Sequence, residues 1–314
     1  MDIEFLLFLQ NIREATGGIF NDFFSFVTKF GETAVLILPL AAIYWCLDKN
    51  MGSFILFSFY TSRVINGFAK ITACVYRPWI RDVRIQPVPE AQAAATGYSF
   101  PSGHTANAAS VFGSLAARKD CGRLLRIMFI AVILLVGFSR NYLGVHTPQD
   151  VVFSLVLGGL SVFITAKVFA QVKKSPKGGI IICLCGCVLC IVLIAYAALK
   201  SYPMNYDANG ALIVDPSKMA IDSYKNAGMG LGLYIGWLLE RRFICFSTEG
   251  TWQEKVSRFI ICALCYLLIS QTVCPMIQSA AGSSLGAVLS NFVSTIYVIA
   301  GAPLIIRIMQ RNVT

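Results

Sequence analysis

The sequence predicts an all-α membrane protein, a polytopic transmembrane helical bundle of about nine spans. Three observations carry this. Of 314 residues, 56% are hydrophobic and only 13% charged, about half the charged fraction of a soluble domain. The mean hydropathy is +0.68. The apolar residues fall in long continuous runs, whereas a transmembrane β-barrel would show alternating segments of about ten residues. The same apolar mass, without a low-complexity period, excludes disorder.

Along the chain, residues 3–30 mix Phe and Leu with Glu4, Arg13, Glu14, Asp22 and Lys29. This stretch reads as an interfacial amphipathic helix rather than a span. Met1-Asp2-Ile3-Glu4 is acidic where the positive n-region of a signal peptide would stand. Span-length apolar runs follow near 33–47, 51–71, 104–118, 123–142, 148–170, 179–199, 224–243, 257–275 and 284–309. The first and third are short, so their ends are expected in the interface.

The net charge of +10 would suggest nucleic acid in a soluble protein. Here it reflects Lys- and Arg-rich cytoplasmic loops and an anionic site, and no nucleic-acid partner is expected. One set of alternating connections holds Lys49; Arg118, Lys119, Arg123 and Arg126; Lys167, Lys173, Lys174 and Lys177; Arg241, Arg242, Lys255 and Arg258; and Arg307 and Arg311. The positive-inside rule makes that side cytoplasmic, with the C-terminus inside and the loop 72–103 outside. Cys183, Cys185, Cys187 and Cys190 imitate metal spacing, but the apolar run 179–199 offers no His or carboxylate. They read as soft packing groups, and no metal is expected. Gly228, Gly230, Gly232 and Gly236 read as a face for close helix approach rather than a second ligand site.

The chain has two histidines, His104 and His146, predicted at one membrane face, each beside a polar cluster. The first cluster runs from Lys70 to Arg77-Pro78. If it is helical throughout until Pro78 ends it, Lys70 and Arg77 point the same way, roughly 10 Å apart along the axis. They could equally be interfacial anchors. The second is Tyr98-Ser99-Phe100-Pro101-Ser102-Gly103-His104-Thr105. It reads as a turn into a helix N-terminus, whose N–H groups and dipole favour an anion, with Gly103 allowing close approach. A plain cap explains Ser102 and Gly103 but not His104. The third runs from Ser139-Arg140 through Gly144 to His146-Thr147-Pro148-Gln149-Asp150. Asp150 can close a capping box with Thr147. It can also accept from His146 Nδ1 and leave Nε2 as a nucleophile, the logic of hydrolytic triads.

In this order and without substitution, the three clusters resemble the signature of the type-2 phosphatidic acid phosphatase family, whose superfamily includes glucose-6-phosphatase and the vanadium haloperoxidases. The resemblance covers residues ~50–170. It implies that Lys70, Arg77 and Arg140 hold the phosphate oxygens, with Ser102 and the Gly103 N–H completing the cradle. His146 would then attack phosphorus, Asp150 would orient it, and His104 would protonate the leaving alkoxide and later activate water. No cofactor is implied.

On this reading residues 1–32 are an interfacial segment, 33–175 a transmembrane phosphatase core, and 176–314 additional transmembrane helices. The expected activity is metal-independent hydrolysis of a lipid phosphate in a multi-pass bilayer protein. The expected setting is a bacterial inner membrane with the site on the non-cytoplasmic face. Phosphatidate-like lipids, sphingoid-base phosphates and isoprenyl diphosphates are the candidate substrates. Arg81 and Arg84 could meet a second phosphate or simply serve the loop's own electrostatics. A phosphotransferase with another acceptor and a non-catalytic transporter or scaffold are the competing readings.

Overall fold

The computed structural model describes residues 2–95, 97–207 and 209–311. Met1 and residues 312–314, with the C-terminus expected on the cytoplasmic side, lie outside the described residues. Fifteen α-helices are present among them: α1 (Asp2–Ala15), α2 (Asn21–Thr28), α3 (Thr33–Ala42), α4 (Lys49–Ala73), α5 (Pro78–Arg81), α6 (Pro89–Ala94), α7 (Gly103–Ala116), α8 (Arg123–Tyr142), α9 (Pro148–Lys174), α10 (Pro176–Leu199), α11 (Pro216–Leu239), α12 (Trp252–Leu268), α13 (Cys274–Ala281), α14 (Ser283–Ile296) and α15 (Ala302–Arg311). Short π-type turns extend α3, α11, α12 and α14. The only extended pairing among the described residues is an isolated bridge between Tyr206 and Leu212.

Each expected apolar run falls on helix. Five helical stretches, however, are long and apolar enough to cross a bilayer: Arg123–Tyr142, Pro148–Lys174, Lys177–Leu199, Trp252–Ala281 and Ser283–Arg311. Asn21–Gly31 with Thr33–Leu47, bent by 52°, forms a sixth if the pair is one span. The other runs fall short for physical reasons. α7 has 14 residues, about 21 Å of helix against a hydrocarbon core of about 30 Å. α4 carries Lys49, Arg63 and Lys70, and α11 carries Lys218, Asp222 and Lys225.

Contacts divide the chain into two compact units. The first comprises Met1–Leu36, Ile65–Val162 and Lys200–Met219; the second comprises Ile37–Val64, Phe163–Leu199 and Ala220–Thr314. In the first, α8 packs on α7, α2 and α1. Val27, Ala108 and Val136 form one buried cluster, and Val88, Ala91, Ala95, Tyr142, Leu143 and Val145 form another. The N-terminal segment expected in the interface therefore contributes Val27 to a core. It also clamps the 82–88 loop: buried Arg13 donates to the carbonyls of Gln86 and Tyr142, and Gln86 N donates to Gln10 Oε1 at 2.8 Å.

The second unit is built on the glycine face. Gly228, Gly232 and Gly236 recur every four residues, one face of a helix. A Cβ on Gly232 would stand 2.8 Å from Phe292 O, and one on Gly236 3.0 Å from Ile299 Cβ. Gly228 faces the Val288 carbonyl in the same way. α11 thus lies against the α14 backbone, as small-residue faces permit. Gly230 looks elsewhere, toward Cys190 and Val64. Trp45 Nε1 and Tyr44 OH donate to Val298 O at 2.9 Å and Ile299 O at 3.0 Å, fixing the end of that layer.

Gly232→Val is expected to destabilise the protein by about 1–3 kcal/mol, because the added methyls meet main chain. Gly159→Val, where nothing lies within 4 Å, is the control. Thermal unfolding in detergent should show a lowered midpoint for the first variant only.

Candidate active site

All the motif residues lie in the first unit, on helix ends and the turns beside them. α4 stops at Ala73, and Cys74 takes a left-handed φ of 49°. The helix therefore ends before Pro78, and Lys70 and Arg77 do not share one helical face. Pro78 instead opens α5, with Arg77 extended before it at φ −62°, ψ 151°, as a residue preceding proline prefers. The two cations still converge. Lys70 Nζ donates to Tyr98 O at 2.9 Å and Pro101 O at 3.1 Å. Arg77 Nε donates to Gly97 O at 3.0 Å, and Nη1 to Val145 O at 2.9 Å.

Ser102 caps α7, its Oγ accepting from Thr105 Oγ1 at 2.9 Å. Gly103 opens the helix, and a Cβ there would meet nothing within 4 Å. The first-turn N–H groups of α7 thus stand at a helix end approachable by an anion. Arg140 ends α8. The chain then turns at Gly144, φ +76°, where a left-handed residue is needed and glycine adopts it without steric cost. The N–H groups of Val145 and His146 return to Arg140 O at 3.2 Å each, and Asn141 Nδ2 holds His146 O at 2.8 Å.

Asp150 is placed for both of the roles open to it. Its Oδ2 accepts from Thr147 N at 2.8 Å, while Asp150 N points to Thr147 Oγ1 at 3.4 Å, the reciprocal pattern of a capping box. The same oxygen lies 3.3 Å from His146 Nδ1 and accepts from Ser99 Oγ. On the far side of the ring, Arg77 Nη1 stands 2.9 Å from His146 Nε2. A guanidinium can only donate, so Nε2 is the acceptor, and the ring proton sits on Nδ1 toward Asp150. Burial, followed by the charges of Arg77, Arg140 and Lys70, pushes His146 well below its ordinary pKa. It is neutral, with its lone pair on Nε2.

Arg77, Arg140, His146 and Asp150 are each 5% exposed or less. Burial also lowers the Arg77 guanidinium to about 10, with Asp150 opposing. Arg140 donates to Thr28 Oγ1 at 2.8 Å, and its buried Nε has no hydrogen-bond partner. A buried donor left unsatisfied is costly, and here it belongs to a guanidinium whose charge acts on Arg77 and on His104, in the first turn of α7. That donor set fits a phosphate group. His104 Nε2 lies 3.9 Å from Glu32 Oε1, and His104 is among the groups whose charge acts on His146. A cavity of about 300 Å³ lined by Arg77, Trp79, Gly97, Val214, Lys218 and Met219 adjoins Arg77.

Arg81 and Arg84 are engaged elsewhere. Arg81 pairs with Asp2 at 2.8 Å, and Arg84 pairs with Asp82 at 2.8 Å and Glu4 at 3.1 Å. Ion pairs with α1, and for Arg84 also with Asp82 of its own loop, account for both. Thr28, Glu32 and Asn141 reach the site without having been expected there. Ser99 lay inside a recognised motif, but its bond to Asp150 had no local signature.

Two family models match the chain. The PAP2 superfamily covers residues 52–174, and the PAP2 superfamily phosphatase transmembrane extension covers 224–311. Phosphatidylglycerophosphatase B of Bacillus subtilis (strain 168) is 29% identical over 167 residues, 49% of this chain and 77% of that protein. Undecaprenyl-diphosphatase of Sulfolobus acidocaldarius is 27% identical over 150 residues, 47% and 70% respectively. Lipid A 1-phosphatase of Rhizobium etli is 36% identical over 84 residues, 26% and 35%. No solved structure gives a significant match. The motifs, their convergence on one buried cationic site, and two superfamily matches that together span about two thirds of the chain place this protein in the PAP2 superfamily of phosphatases.

Proposed function

We propose that the protein is an integral-membrane lipid phosphate phosphatase that works through a phosphohistidine on His146. The observation that carries the reading is the His146 ring, with Nδ1 on Asp150 and Nε2 facing Arg77. A phosphoryl group taken up by Arg77, Arg140 and Lys70 would draw the Arg77 donor off Nε2 and meet the lone pair it releases. Ser102 and the Gly103 N–H add donors at the α7 end. In the first half-reaction the Nε2–P bond forms and the P–O bond to the lipid breaks. His104 gives its proton to the departing alkoxide. In the second half His104 takes a proton from water, which attacks phosphorus and releases inorganic phosphate. Three cations neutralise the phosphoryl charge, so the reaction proceeds without a divalent metal. The relatives' names support phosphatidylglycerophosphate, an isoprenyl diphosphate or a lipid A phosphate as the substrate class. Water as acceptor is favoured over phosphotransfer by those names.

The site is proposed to face the non-cytoplasmic side, in a bacterial inner membrane. The reason is charge: with every apolar run taken as a span, 15 Lys and Arg lie in one set of connections against Arg81, Arg84, Lys200, Lys218 and Lys225 in the other, once Lys70, Arg77 and Arg140 of the site are set apart.

Purified protein in detergent should release inorganic phosphate from one or more of these lipids, and excess EDTA should leave the rate nearly unchanged. His146→Ala should reduce release to background, a loss of at least about 10⁴-fold. Full activity in that variant, or a strict metal requirement, would contradict the mechanism. For topology, Gln92→Cys and Lys174→Cys are placed separately in a background without native cysteines. An impermeant maleimide on intact cells should label the first and spare the second; the reverse pattern would move the site to the cytoplasmic leaflet.

A further inference from the structure

The structure assigns Glu32 as the positioning residue of His104, a role that rests on the phosphatase reading above and lies outside residues 52–174 matched by the family model. Its carboxylate stands 3.9 Å from His104 Nε2. Three contacts fix that placement. Thr28 Oγ1 accepts from Arg140 Nη1 at 2.8 Å. Gly31 O accepts from Asn107 Nδ2 at 2.8 Å. Gly31 itself lies so close to the His104 main chain that a Cβ would stand 2.6 Å from His104 O. The segment 28–32 is thus seated on Arg140 and on the first turns of α7, and Glu32 is delivered to the imidazole.

His104 needs such a partner. To act as general acid it must carry a proton when the alkoxide leaves, in a site that gathers Lys70, Arg77 and Arg140. Burial and the charges of Arg140 and Arg77 push His104 down to about 4, with Glu32 opposing them. Asp150 is committed to His146, Thr147 and Ser99, which leaves Glu32 as the carboxylate at His104. A bound phosphate offsets the arginines, and Glu32 offsets the remaining charge of the imidazolium and holds the ring. Glu32 makes and breaks no covalent bond. The proton travels from His104 Nδ1, the nitrogen that Glu32 does not face, to the lipid oxygen as the P–O bond breaks; the neutral imidazole left beside Glu32 then accepts the proton of the attacking water. The Glu32 side chain is 40% exposed, so the fold does not depend on its burial.

The test compares kcat/KM, which reports the half-reaction through leaving-group release, on two substrates. One is a lipid phosphate turned over by the wild type, with a strongly basic alkoxide to expel. The other is p-nitrophenyl phosphate, whose leaving group departs without a proton. Glu32→Gln should lower kcat/KM on the lipid phosphate on the order of 10- to 100-fold, and by no more than about threefold on the aryl phosphate. Glu32→Asp should recover part of the loss. Equal losses on both substrates, with no recovery by Glu32→Asp, would mean a merely structural contact and overturn the assignment. No loss on either would overturn it as well. Wild-type protein that turns over neither substrate would instead overturn the phosphatase reading, and the role of Glu32 with it.

Discussion

The site depends on keeping cations of one sign buried and close together. Arg77 and Arg140 are almost wholly buried, and each such charge costs several kcal/mol to desolvate. Asp150, the buried carboxylate nearby, is shared among His146, Thr147 and Ser99. The chain meets the cost mainly with neutral oxygens: carbonyls of Gly97, Val145, Tyr98 and Pro101, and the Thr28 hydroxyl. Such dipoles hold a guanidinium or ammonium in place without cancelling its charge. On the proposed reading the uncancelled charge is what an incoming phosphate would meet, so binding and electrostatic stabilisation of the transition state would draw on the same groups.

Main-chain geometry makes this arrangement possible. Each carbonyl is free because it lies outside a helix: Gly97, Tyr98 and Pro101 before α7, and Val145 beside Gly144. A continuous helix from Lys70 to Pro78 would have carried Arg77 along the helix axis. The break at Cys74 lets Arg77 turn toward Gly97 and Val145. Asp150 shows the same economy of means, since one oxygen closes the α9 cap and fixes the tautomer of His146.

The three motifs were legible because they are local. Spacing within a few residues identified Lys70, Arg77, Ser102, Gly103, His104, Arg140, His146 and Asp150, and the structure gathers them in one unit. The glycine face of α11 was legible for the same reason, a repeat every four residues. The break at Cys74 was not, because nothing before Pro78 marks a stop and a non-glycine residue takes the left-handed turn. Thr28 and Glu32 were hidden for a different reason. They meet Arg140 and His104 across 112 and 72 positions of chain, in a stretch whose Phe residues read as an interfacial helix. The run at 104–118 was legible as short, and the helix there, α7, has 14 residues.

The central claim is chemical: His146 Nε2 becomes bonded to phosphorus during turnover. The most direct measurement is a rapid quench of detergent-purified enzyme mixed with a turned-over phosphate ester carrying labelled phosphorus, followed by peptide mapping under alkaline conditions that preserve phosphohistidine. The account predicts label that is lost in acid, stable in base, and located on the peptide containing His146, at a level that rises before inorganic phosphate appears. Label on His104 or on a serine, or turnover with no protein-bound phosphate at the earliest quench times, would contradict it.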